Sequence, residues 1–166
     1  MRVYVPVTLA MLAGLVSDHT LHARSGTAFA VTPTLRESYA EGDDDELAEV
    51  ALREAAMASL RLLAAEGEVE GFPRRRAVLV ADVDEVTARP DLDDAVVRLG
   101  GPLALTDVVA AFVDNAGAEA AVAAAVDVVD DADLGNEDAE LTVGDAQDYD
   151  LAWYAAQELP FLLELL

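Results

Sequence analysis

Short valine-rich runs alternate along this chain with longer stretches in which apolar residues recur every three or four positions. The short runs fall at 2–7, 27–32, 77–83, 95–99 and, more weakly patterned, 109–114, and each has the length and composition of a strand. Helical spacing appears at 9–16, 44–65, 118–129 and 149–159, with Pro160 expected to end or kink the last. Strands interleaved with helices predict an α/β fold. The expected architecture is a single-domain sandwich over residues 1–166, with about five strands in one mixed sheet covered by about four helices. Segments 66–76 and 130–140 read as exposed connections.

The first seventeen residues, MRVYVPVTLAMLAGLVS, have the length and single leading Arg of a secretion signal. Alternating Val3, Val5 and Val7, with Pro6 among them, instead indicate a strand. Thr8 then caps a helix. In the central helix, Leu47, Ala48, Ala51, Leu52, Ala55, Ala58, Leu62 and Leu63 form one apolar face. Glu49 and Arg53 on the other side have the spacing of an ion pair. Val50, Met57 and Leu60 interrupt that polar side, so a second element or a partner chain is expected to touch the helix at Met57 and Leu60.

Charge narrows the choice of partners. Thirty-three acidic against ten basic residues leave a net charge of −23, which repels nucleic acid and anionic lipid. All the basic residues are Arg and there is no Ile, the bias of a GC-rich genome, although a halophile is also acidic and poor in Lys. The absence of Cys removes thiolate chemistry, and no uninterrupted apolar segment is long enough to span a membrane. The Arg74-Arg75-Arg76 cluster is expected to pair with local carboxylates.

Acidic residues supply the candidate chemistry. The run Asp43-Asp44-Asp45-Glu46 has the form of a helix start, with Asp43 at the N-cap and Glu46 three residues later. AVLVADVDEVT, a Val-rich strand ending in Asp82-Val83-Asp84, resembles the first motif of haloacid-dehalogenase-type phosphatases. That resemblance implies magnesium-dependent phosphoryl hydrolysis with Asp82 as nucleophile and Asp84 moving the proton. GDAQDYD would then add Asp145 and Asp150 as metal ligands. The chain contains no Lys to bind the phosphate, and only about sixty residues separate the two acidic motifs. His19 and His22 lack companion ligands, and DDADLGNEDAE fails the EF-hand register. No serine elbow, P-loop or dinucleotide motif is present.

At the C-terminus, Trp153 reads first as a plug docking the last helix. Alternatively, Trp153, Tyr154 and Phe161 form an aromatic interface anchor, with the leucine tail needing a surface to pack against. The segments RVYVPVTL, AFAVTPTLRESYAEGDDDEL and GDAQDYDLAWYAAQELPFLL resemble a functionally uncharacterised family of small acidic actinobacterial proteins over the whole length. The resemblance implies a cytosolic origin and carries no activity, ligand or catalytic residue. The leading expectation is a non-catalytic cytoplasmic protein that binds a protein partner or self-associates. It uses no cofactor or metal and meets neither nucleic acid nor membrane. The opposing expectation is the hydrolase built on Asp82 and Asp84.

Overall fold

The computed structural model describes every residue from Met1 to Leu166. Strand β1 (Arg2–Val7) is buried from Val3 onward, as a central strand must be. Val3, Val5 and Val7 face one core, whereas Tyr4 faces another. It pairs antiparallel with β4 (Ala77–Asp82) in the register Val3↔Ala81 to Val7↔Ala77. Met1 and Val83 exchange hydrogen bonds, so the odd-numbered residues of β1 bond to β4. Pro6 therefore turns its missing donor toward β3 (Thr27–Phe29), whose pairing with β1 has already ended at Tyr4↔Phe29.

Six further strands complete two sheets: β2 (Thr20–Leu21), β5 (Val86–Ala88), β6 (Val96–Leu99), β7 (Leu103–Ala104), β8 (Val108–Val113) and β9 (Ala152–Ala155). The main sheet has the order β5-β6-β3-β1-β4-β8-β9, and β2 pairs with β7 separately. All the pairings are antiparallel, so the expected mixed sheet of about five strands is replaced by an antiparallel sheet of seven with a two-stranded accessory.

The helices form layers around this sheet. Helices α1 (Leu9–Asp18) and α6 (Leu159–Glu164) cover the face carrying Val3, Val5, Val7 and Leu79. A short helix, α2 (Pro33–Ser38), and the long α3 (Asp44–Glu66) cover the opposite face at Tyr4, Phe29, Val78 and Val80. Beyond the sheet, the C-terminal half of α3 packs Leu60 and Leu63 against a helical hairpin of α4 (Glu119–Asp133) and α5 (Glu137–Gln147). That hairpin is the second element expected at Met57 and Leu60. Leu60 is only 1% exposed, so no partner can reach it.

Local signals explain most boundaries. Thr8 accepts from the Met11 N–H at the start of α1, and Asp43 Oδ1 accepts from the Glu46 N–H at 2.9 Å at the start of α3. Glu46 does not return the bond, so a single cap holds this end. Asp43→Ala should therefore cost about 1 kcal/mol in urea-induced unfolding. Glu49 and Arg53 do not form the expected ion pair, and Arg53 is left without a salt-bridge partner.

Two segments depart from the sequence pattern. Residues 130–140 are not an exposed connection: α4 runs to Asp133, Gly135 turns the chain at φ 93°, and Asn136 caps α5 by accepting from the Ala139 N–H. The expected helix at 149–159 is instead strand β9 followed by α6, with Pro160 in the first turn, where its missing N–H costs nothing. The open edge of β8 captures Trp153 and Tyr154 in the registers Phe112↔Trp153 and Ala111↔Tyr154.

Candidate functional site

Asp82 ends β4 on the exposed rim of the sheet. Its carboxylate receives two hydrogen bonds from the Arg2 guanidinium, both at 3.1 Å. These bonds hold the Asp82 carboxyl below the ordinary carboxylate range, against a smaller opposing effect of desolvation. Asp84 follows in the turn before β5. Both line a shallow depression of about 350 Å³ with Glu85, Asp107 and the Gly100-Gly101-Pro102 turn. Gly100 is required there, because a Cβ would lie 2.7 Å from that of Glu85.

Asp145 and Asp150 lie at the other end of the sheet. Ala77 pairs with Val113, and Val113 pairs with Ala152, so Asp150 sits beyond the Ala77 end of β4. Asp82 is five residues along the same strand, about 16 Å away at the ordinary strand rise. Asp145 is on α5, exposed beside Asp148 and Tyr149. The four carboxylates cannot share one cation, and no group of three or more His, Asp or Glu side chains converges on a metal position. The arrangement required by the hydrolase expectation is therefore not assembled, and Asp82 is already engaged by Arg2.

The Ala77 end of the sheet carries a larger concavity. A cleft of about 550 Å³ opens between α3, α5 and the residues leading into β9. Its walls include Leu52, Met57, Phe112 and Leu151, and Glu49, Arg53, Asp148 and Asp150 also line it. Arg76 lies in its lining, 3% exposed and paired with Asp114, which is fully buried. The Asp114 carboxylate accepts from the Arg76 backbone N–H, Nε and Nη2, each at 2.8 Å. The neighbouring arginines pair locally as expected: Arg75 with Glu119 at 2.7 Å and Arg74 with Asp127 at 3.9 Å.

The third feature is the sheet edge at β9. Trp153 is 57% exposed, which rules out a buried plug. Tyr154 and Phe161 line an apolar hollow of about 500 Å³ with Leu162 and Leu165. Phe161 and Leu165 are strongly exposed. Of the residues singled out in the sequence, Tyr154 and Phe161 thus come together. Met57 and Asp150 share the cleft, and Leu60 is buried.

The sequence pattern does not single out Phe112 or Leu151, and it places Arg76 only in a cluster expected to pair with local carboxylates. The signal for its burial is parity, since it continues the α3-facing positions Val78 and Val80.

The family model named DUF6912, a family of unknown function, matches residues 1–163. The chain belongs to this family. No curated protein and no solved structure matches it. No helix of this DUF6912 protein is long and apolar enough to cross a membrane.

Proposed function

We propose that this DUF6912 protein is a non-catalytic binding protein that takes an extended segment of a partner chain along β9. The supporting observation is the edge itself, where the Glu158 carboxylate takes the Ala155 N–H at 3.0 Å and leaves the rest of the strand open. β9 ends the seven-stranded sheet, and its sequence Ala-Trp-Tyr-Ala contains neither charge nor proline. Sheet edges are normally blunted by such residues, because unpaired N–H and C=O groups recruit another strand. Large exposed apolar side chains lie near it: Trp153 on the α3 side and, on the other, Phe161 of α6 and Leu165 at its end, which share a hollow with Tyr154.

Charge selects the occupant. Asp148 and Asp150 precede the strand and Glu158 follows it. A second copy paired antiparallel about a two-fold axis would set Asp150 of one chain toward Glu158 of the other. A partner strand with apolar residues between basic flanks meets these acids favourably and is steered by the −23 charge.

Trp153 is the sole tryptophan and reports directly on the edge. A synthetic peptide of alternating Val and Thr flanked by Arg pairs should shift its emission to the blue, and added salt should weaken the effect. A Glu-flanked twin should not bind. Equal responses to both peptides, or to neither, would overturn the proposal. A dimer forming with concentration in sedimentation, and lost in Trp153→Arg, would replace the basic partner with a second copy.

A further inference from the structure

We infer that the cleft between α3, α5 and the entry to β9 is a binding site for a small amine-bearing carbonyl or carboxylate compound, of the free amino acid or dipeptide class. The inference begins with the hydrogen bonding of Arg76. Its Nε and one Nη2 proton go to Asp114, and the other Nη2 proton goes to the Tyr149 carbonyl at 2.9 Å. Nη1 donates to no atom of the chain, although the residue is only 3% exposed and lines the cleft. A guanidinium fixed on one side by a buried carboxylate cannot swing out to solvent. Either of its two remaining N–H groups, which diverge from Nη1, is thus a preorganised donor to a carbonyl or carboxylate oxygen.

The rest of the cleft sets the class of molecule. Its volume of about 550 Å³ suits a small organic ligand, and Leu52, Met57, Phe112 and Leu151 offer apolar contact. Asp114 already balances Arg76. Counting Asp114, the cleft has two more carboxylates than guanidiniums, because Glu49, Asp148 and Asp150 face only Arg53. Phosphate esters and nucleotides are repelled by this balance. An ammonium group is attracted by it. A ligand with an oxygen acceptor for Arg76, an ammonium for the carboxylates and an apolar body between them satisfies all three features.

Leucyl-leucine is a suitable probe, tested against its N-acetyl form and inorganic phosphate by calorimetry and amide NMR on the full chain. Saturable binding with shifts at Tyr149 and Leu151 is expected. Acetylation should weaken it by about tenfold through loss of the charge-assisted contact. Met57→Trp, which fills the cleft from α3, should abolish binding. Asp150→Asn, an exposed change that leaves the core intact, should weaken it. Absence of saturable shifts, preference for phosphate, or undiminished binding in both Asp150→Asn and the acetylated probe would overturn the inference. The test is independent of the β9 edge, because the peptide-dependent Trp153 response can fail or succeed without altering these readouts.

Discussion

Asp114→Ala should destabilise the protein by about 3–5 kcal/mol, the cost of stranding a buried charge whose partner has been removed. Asp114 is 0% exposed, and its carboxylate receives the Arg76 backbone N–H and two side-chain donors. Truncation leaves a nearly buried guanidinium at the wall of the cleft with the Tyr149 carbonyl as its one remaining acceptor from the chain. For a domain whose total stability is about 5–15 kcal/mol, this is a large fraction. Urea unfolding should show a much lower midpoint with little change in slope. The double variant Arg76→Met with Asp114→Leu separates lost pairing from an unpaired charge. Removing both ions abolishes the desolvation cost, so the double variant should be more stable than Asp114→Ala alone. If Asp114→Ala shifts stability by less than about 1 kcal/mol, water reaches the pair and the premise of burial fails.

This ion pair also marks where sequence reasoning stops. Arg74, Arg75 and Arg76 are chemically identical neighbours, yet they range from partly to almost completely buried as the chain enters β4. Strand parity separates Arg76 from Arg75 but not from Arg74, and Asp114 lies 38 residues away at the end of β8. Asp82 shows the same limit: its aspartate motif is conspicuous, but the Arg2 that occupies it is 80 residues distant. Which carboxylates are free and which are spent depends on strand pairing that local pattern does not encode.

The elements divide along the same line. β1, α1, α3 and β4 carry strong periodicity and local caps, and each lies close to where the pattern puts it. The pattern does not mark α5, because its buried stripe is Ala139, Val143 and Ala146, small residues at helical spacing, with Leu141 on the exposed side. The β9 segment permits either helix or strand, and the open edge of β8 decides for strand. The second apolar side of α3, at Met57 and Leu60, was legible as a contact. Identifying the hairpin that makes it required α5.

Ser59→Ala should be the second most costly change, at about 2 kcal/mol net. Ser59 is fully buried in α3, and its hydroxyl donates to the Val7 carbonyl at 2.7 Å while accepting from the Ala77 N–H at 3.0 Å. These two residues form the last paired position of β1 and β4, so one hydroxyl ties the central helix to the ends of both central strands. Alanine takes this partner from both the Val7 carbonyl and the Ala77 N–H, at about 1–3 kcal/mol for a buried group left unsatisfied. The better helix propensity of alanine returns only about 0.5 kcal/mol. Hydrogen exchange distinguishes this bridge from simple loss of packing. In Ser59→Ala, the Ala77 amide should lose more protection than the Leu79 amide on the same strand. A uniform loss along β4 would mean that the hydroxyl contributes only to global stability, whereas loss concentrated at Ala77 assigns it the bond that closes the strand ends.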